Sequence, residues 1–224
     1  MPNEAVILGK VRGLNPDEIL ASNNNEEQIK LSGQGDQLFA MGASVYQENV
    51  RLGRTYWTNN TTPVAAVIAM PTTAINLAIY NNEPDGGRSY IIQRVAAVAG
   101  AAGAVLYQAC IIACLGQVRE AIPAMAAMTL KQANGGGKND SRARVTIGGT
   151  ALPAGTGVAT NWFCLGSSQV TSTVSVPGWQ IDAPVNGRFI VSPGRYFAVH
   201  VLGSAVGLTA TMNIYWTEKQ LLLG

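Results

Sequence analysis

Residues 187–218 read GRFIVSPGRYFAVHVLGSAVGLTATMNIYWTE, and this stretch decides the fold. From residue 208 onward, apolar and polar side chains alternate strictly. The apolar members of the alternation are Leu208, Ala210, Met212, Ile214 and Trp216. Because successive side chains of an extended chain point to opposite faces, this period of two predicts a half-buried strand.

A second alternating run lies just upstream, at residues 196–202. The segment between the two runs, GSAVG at 203–207, is a plausible reversal, so the runs are predicted to form a hairpin. Pro193 and Gly194 predict a turn before the second run, because proline presets φ and glycine supplies positive φ. Residues 189–191 are therefore expected to be a third extended segment, entering from a neighbouring sheet.

The composition is poor in charge. The chain has 224 residues, of which 47% are apolar and 12% are charged. This length fits one large β-sandwich with a substantial core. The charged share is about half of that usual in soluble domains. Two interpretations stay open: much of the surface lies against copies of the chain or other proteins, or its faces are simply neutral and polar.

Net charge and cysteine content argue against several classes of partner. The net charge is +2, and the nearest basic cluster, Lys138, Arg142 and Arg144, is too small to track a phosphate backbone. No nucleic-acid partner is therefore predicted. The three cysteines are an odd number without close metal-type spacing, and they favour synthesis in a reducing compartment. The N-terminus shows no export signal.

Residues 1–62 differ from residues 63–224 in how often turn-forming residues interrupt the apolar runs. Asn, Asp, Gly, Pro and Ser interrupt every apolar run of the first part before it reaches strand length. We therefore predict an extended N-terminal arm with little core of its own over 1–62, and a β-sandwich domain over 63–224. The large side chains of the arm, Tyr46, Tyr56 and Trp57, are predicted to pack at an interface with the body or a partner.

Residues 63–224 contain about eight to ten short runs that are typical of strands, with turn signals between them. The run 95–115 is long and nearly uncharged, but it is mostly Ala and Gly and carries Gln108. A hairpin buried on both faces is predicted there, and no membrane partner. Residues 117–133 fit either a helix or a loop with an edge strand. The whole predicts an all-β fold, a jelly-roll-like antiparallel β-sandwich with an extended N-terminal arm.

The sequence contains no constellation that looks catalytic. The GGGK run at 135–138 lacks the frame of a phosphate loop. His200 is the only histidine, which precludes a His-based metal site, and a sheet-face role is favoured for it. The acids in strand-like context, Asp182, Glu218 and Glu120, make no convincing acid and base pair. No catalytic, cofactor-binding or metal site and no enzymatic activity are predicted.

Three segments carry a resemblance to a known group of proteins. They are NWFCLG at 161–166, GRFIVSPG at 187–194 and the end of the predicted hairpin, IYWTE at 214–218. Together with the strand, glycine-rich turn and strand at 81–92, they resemble the β-sandwich virion proteins of tailed bacteriophages. The resemblance covers residues 63–224. It implies a protein that decorates or cements the head shell, usually as a trimer bridging capsomers, with an N-terminal arm that reaches across the shell.

We therefore expect a non-enzymatic virion structural protein that self-associates as a trimer and binds the major capsid protein lattice. It would be made in the host cytoplasm and lie on the capsid surface. A rival expectation is a receptor- or carbohydrate-binding jelly roll of a phage fibre or tail, with Trp162, Trp179, Tyr196 or Tyr215 clustered in an exposed groove. A third is a hydrolase whose carboxylates, Asp182 among them, meet in the sandwich cleft.

Overall fold

A computed structural model describes residues 8–9, 27–28, 45–60, 62–71, 75–100, 108–116, 131–135, 141–147, 162–169, 179–204 and 208–221. The chain divides into two compact units, Met1–Glu48 and Asn49–Gly224. In the first unit, β1 (Leu8–Gly9) pairs antiparallel with β2 (Glu27–Gln28). One short helix, α1, covers Val45–Arg51. Among the helices that the structure describes, none is both long and apolar enough to cross a membrane.

The remaining strands form two antiparallel sheets. Their bounds are β3 (Thr55–Asn59), β4 (Val64–Ala65), β5 (Leu77–Tyr80), β6 (Arg88–Ala99), β7 (Gln108–Leu115), β8 (Lys131–Gln132), β9 (Arg144–Ile147), β10 (Phe163–Gln169), β11 (Gln180–Val191), β12 (Tyr196–Gly203) and β13 (Thr209–Gln220). The six-stranded sheet has the order β11-β6-β13-β3-β8, with β4 also paired to β13. The five-stranded sheet has the order β10-β7-β12-β5-β9.

The pairing of the longer strands is nested. The outermost pair along the chain is β3 with β13, and inside it lie β5 with β12, β6 with β11 and β7 with β10. Members of the first and third pairs lie in the six-stranded sheet, and those of the second and fourth in the five-stranded sheet. One long antiparallel hairpin is thus wrapped into two facing sheets, which is the jelly-roll arrangement. The predicted all-β, jelly-roll-like sandwich is confirmed.

Both hairpins predicted from the sequence are wrong. β12 pairs with β5 and β7, whereas β13 pairs with β3, β4 and β6 in the other sheet. Likewise β6 and β7, which cover the apolar run at 95–115, lie in opposite sheets. Alternation reports which side chains face the core, but it does not report which strand lies alongside. In contrast, residues 189–191 do end a strand of the neighbouring sheet, as expected.

The boundary of the sandwich also differs from the predicted one at residue 63. β3 lies within the predicted arm, yet it pairs with β13 through five residues, from Thr55 opposite Thr217 to Asn59 opposite Asn213. The second compact unit accordingly begins at Asn49. A strand of five residues is hard to recognise in the sequence, because its stability comes from the neighbouring strand.

Most of the predicted arm lies outside the described residues. The same holds for most of residues 117–133, of which Lys131 and Gln132 form β8.

Inward-facing apolar side chains of both sheets fill the space between them. At its centre Trp216 lies between two tyrosines, with its ring centroid 6.0 Å from that of Tyr56 and 6.2 Å from that of Tyr90. All three side chains are buried, and each contributes on the order of 2–3 kcal/mol through burial. Since Tyr56 comes from β3, this strand belongs to the core.

β12 is buried on both faces, which differs from the half-buried strand predicted for it. Phe197, Val199 and Val201 face the core between the sheets. Tyr196 and Ala198 face the other way and form a second buried cluster, together with Ile75, Ala78 and Cys114. The outer side of the five-stranded sheet therefore has an apolar layer of its own.

Asn81 joins two of the places where the chain crosses between the sheets. Its side-chain Nδ2 donates to the carbonyl oxygens of Arg88 and Val191, each at 2.8 Å, and its Oδ1 accepts from the Glu83 backbone N–H at 3.1 Å. Its own carbonyl accepts from the N–H of Gly194, which has a φ of 76° that favours glycine. One buried amide thus ties the β5–β6 crossing to the β11–β12 crossing.

We expect Asn81→Ala to lower the free energy of unfolding by about 2–4 kcal/mol, because it leaves two buried carbonyls without their donor. Urea denaturation measures this change. Asn82→Ala is the matched control, because Asn82 is adjacent and exposed, and its effect should stay within about 0.5 kcal/mol. Equal effects of the two substitutions would show that the crossings do not depend on this amide.

Candidate functional site

The three aromatic residues predicted to form an arm interface lie in different environments. Tyr56 is 1% exposed and packs against Trp216 in the core, so of the two predicted alternatives, the body or a partner, it contacts the body. Trp57 is half-buried and lines a cleft on the outer face of the six-stranded sheet. The side chain of Tyr46 lies outside the described residues.

The four aromatic residues of the rival, ligand-binding expectation are not brought together. Trp179 and Tyr196 are 3% and 0% exposed. Trp162 donates its Nε1–H to the carbonyl oxygen of Pro71 at 2.8 Å. Only Tyr215 lines the same cleft as Trp57. Trp57 and Tyr215 thus form an aromatic pair on the surface, and Trp57 belongs to the segment that was predicted to be the arm.

The acidic residues considered for hydrolysis lie apart. Asp182 on β11 is opposite Ala96 of β6, and Glu218 on β13 is opposite Tyr90 of β6. Six residues of an extended strand separate these two positions, which is about 20 Å. Asp182 is on the outer face of the sheet, whereas Glu218 is buried between the sheets. The two cannot act as an acid and base on one substrate, and Glu120 lies outside the described residues.

Glu218 is held by a buried polar network. Its carboxylate accepts from Trp216 Nε1–H at 3.2 Å and from Arg88 Nη1 at 3.3 Å, and it also bonds to the Ser141 hydroxyl. Burial raises the pKa of Glu218 above its ordinary value, although these three partners oppose the shift. The side chain is 0% exposed, so a substrate has no access to it. Its role is to tie the end of β13 to β6 and to the segment before β9.

His200 is likewise a buried residue of the sheet. It lies opposite Ile112 of β7, on the side of β12 that faces away from the main core. Its Nδ1 is 3.1 Å from the carbonyl oxygen of Val201. Burial lowers the pKa of His200 from 6.5 to about 4, so the ring is neutral near pH 7. This is the sheet-face histidine that the sequence analysis favoured.

Cys110 and Cys114 lack the lowered pKa of an activated nucleophile. Burial raises the pKa of Cys110 to about 12 and that of Cys114 to about 11. A nucleophilic cysteine needs the opposite shift, toward the thiolate. Within the ranges that the structure describes, no group of three or more His, Cys, Asp or Glu side chains is placed to hold a metal ion.

Within the part of the chain that the structure describes, two surface features are candidates for binding, one on each sheet. The first, which we call the neutral concavity, lies on the five-stranded sheet and has a volume of about 440 Å³. Its lining contains no charged residue and includes Ile68, Gln108, Cys110, Ser167, Gln169 and Leu202. Ile68 is 63% exposed and adds apolar surface to the concavity.

The neutral concavity borders β10, the outermost strand of its sheet among the described residues. β10 reads FCLGSSQ and has neither a charge nor a proline. Outermost strands usually carry such groups, because their unpaired backbone N–H and C=O groups otherwise recruit another strand. β11, an outermost strand of the other sheet, carries both kinds of group, the proline Pro184 and the charged Asp182.

The second feature, which we call the polar cleft, lies on the outer face of the six-stranded sheet. Strand register places its side chains in two rows. Trp57, Tyr215 and Arg94 lie side by side on β3, β13 and β6, and Asn59, Asn213, Ala96 and Asp182 form the next row, which continues to β11. The cleft has a volume of about 390 Å³. Because Ala96 ends in a methyl group amid larger neighbours, it forms the floor.

The charges beside the polar cleft are paired. Arg94 donates from Nε to Asp182 Oδ1 at 2.5 Å and from Nη2 to Oδ2 at 2.7 Å, a bidentate arrangement. This hydrogen bonding with Asp182 raises the pKa of Arg94. Both side chains remain partly exposed, at 57% and 45%. The cleft therefore carries fixed hydrogen-bonding groups with no net charge.

Sequence reasoning missed the polar cleft for an identifiable reason. Trp57 and Asn59 alternate with the buried Tyr56 and Thr58, which is the signal of a half-buried strand. Only the pairing of β3 with β13 places Trp57 beside Tyr215, and 158 positions separate the two along the chain, as 215 minus 57 shows.

Comparison with known proteins identifies no relative: no family model, no curated protein and no solved structure matches this chain.

We expect the protein to lose stability through His200 as the pH falls from about 6.5 to 4. In this window the unfolded state, with its ordinary pKa, binds a proton that the buried ring in the folded state does not. The loss approaches the order of 3 kcal/mol at the acid end.

Urea denaturation of the wild type and of His200→Gln at several pH values isolates this effect, because all other titrating groups are common to both proteins. The wild type should lose stability relative to the variant on acidification. Parallel pH profiles would show that the ring is protonated as easily in the folded protein as in the unfolded one.

Proposed function

We propose that this chain is a non-enzymatic structural protein of a bacteriophage virion, which self-associates as a trimer and decorates or cements the capsid by bridging capsomers. The observation that carries the proposal is that β10, the outermost strand of its sheet among the described residues, has no charge and no proline and lies beside the neutral concavity. The resemblance of residues 63–224 to β-sandwich virion proteins supplies the trimer and the capsid lattice as partner.

The chemistry of this edge suits contact with protein. A neighbouring chain can pair with the backbone of β10 without having to desolvate a charged side chain. The exposed Ile68 and the uncharged lining of the concavity then provide apolar and hydrogen-bonding surface beside the paired strands. Such contacts suit an assembly formed from many copies.

Bridging explains how a small interface can stabilise a shell. A subunit that binds only the assembled lattice shifts the equilibrium toward the assembled state. When one trimer contacts several capsomers at once, its weak contacts act together through their high effective concentration. In this proposal the chain acts through its binding surface, and the buried residues Glu218 and His200 stabilise its fold.

The proposal is tested on purified virions. Mass spectrometry should detect this chain in the particle in a copy number that is a multiple of three per repeating unit of the shell. Electron microscopy should place it on the outside of the capsid. Its absence from the particle, or its presence only at the tail, would overturn the capsid assignment.

We expect Ser167→Lys to weaken self-association by about tenfold or more, because it would bury an unpaired ammonium in the neutral concavity. Analytical ultracentrifugation over a range of concentrations measures the association constant. Gln180→Lys is the matched control, because it adds the same charge to an exposed position on β11, the outermost strand of the other sheet. If both variants associate like the wild type, β10 is not the contact.

A further inference from the structure

We infer that the polar cleft on the six-stranded sheet is a binding site for a neutral saccharide. This inference goes beyond the proposed structural role and does not depend on it, because the polar cleft and the neutral concavity lie on different sheets. It would give a particle-surface protein a means of attachment to glycans.

The walls of the polar cleft suit a sugar ring. Trp57 and Tyr215 are directly opposite one another on adjacent strands, and both are half-buried. The C–H groups on one face of a pyranose ring are apolar and pack against aromatic rings, whose burial removes a large area from water. An aromatic pair fixed on strands offers this surface at little entropic cost, because the backbone is already ordered.

The polar groups of the cleft suit hydroxyl groups. Asn213 lines the cleft, and its amide bonds to no residue that the structure describes, which leaves both a donor and an acceptor for a ligand. Asp182 and Arg94 hold one another in a bidentate pair, which fixes their remaining acceptor and donor sites in space. Fixed donors and acceptors at the edge of an apolar surface provide orientation and specificity.

Charge and size decide the class of saccharide. The positive charge of Arg94 is already matched by Asp182, so an acidic sugar gains no unpaired cation and would lie close to a carboxylate. A neutral sugar meets no such repulsion. The volume of about 390 Å³ lies near the lower end of the range for small-molecule sites, which fits a short segment of an oligosaccharide.

The test uses the full-length protein and saturation-transfer NMR with six probes. Four are neutral tetrasaccharides, built from α-glucose, β-glucose, β-mannose and β-galactose, and two are anionic, sialyllactose and tetragalacturonate. We expect at least one neutral probe to receive saturation and neither anionic probe to do so. Binding of no neutral probe, or of the anionic probes alone, would overturn the inference.

Two substitutions then locate the site. Ala96→Tyr fills the floor of the cleft without removing any of its groups, and it should abolish binding of the neutral probe. Val98→Tyr is the control, because Val98 is two residues along the same face of β6 and is 46% exposed, so its effect should stay within about twofold. Unchanged binding by Ala96→Tyr would place the sugar elsewhere and contradict the assignment.

A third substitution tests the aromatic wall. Trp57→Ala should weaken binding of the same probe by about tenfold or more, since it removes the stacking surface. A thermal melt shows whether the variant is folded. If it is not, Trp57→Leu retains the bulk of the side chain and still lacks the ring. Full affinity in a folded Trp57 variant would exclude stacking as the basis of recognition.

Discussion

The nested antiparallel pairing of the strands is the constraint on which the rest of this structure depends. Because each strand pairs with a distant partner, consecutive strands must cross repeatedly from one sheet to the other. The crossings bury backbone groups, and these groups need partners. Asn81 supplies them for two crossings at once, through bonds to Arg88 and Val191. Asn60 acts similarly near the end of β3, where its amide bonds to Ala210 and Met212 of β13.

This architecture divides the titratable groups between structure and surface. Glu218 is buried between the sheets and His200 is buried on the outer side of β12, and burial raises the pKa of the acid and lowers that of the base. Both shifts follow from the cost of a charge in a medium of low polarity. The exposed pair Arg94 and Asp182 lies on the outer face of β6 and β11, where it remains accessible. The perturbed pKa values of Glu218 and His200 therefore mark structural positions.

The two outer faces of the sandwich differ in chemistry, and the proposals follow from this difference. The five-stranded sheet has an uncharged border along β10 and the neutral concavity beside it, which suits contact with other protein chains. The six-stranded sheet presents Trp57, Tyr215 and paired charges, which suits a small polar ligand. In these two proposals, one face of the subunit serves assembly and the other serves attachment.

The sequence by itself determined that the chain forms strands and which side chains of β13 face the core, because both properties follow from local alternation. It also indicated a jelly-roll-like sandwich through the number of runs and turns. Only the tertiary structure decided which strands are neighbours. The predicted hairpins were wrong for this reason, and Tyr56, which was predicted to belong to the arm, lies in the core. The polar cleft depends on the same information. Its lining residues come from three strands that are far apart in the chain, β3, β6 and β13, and local periodicity has no means of reporting such register.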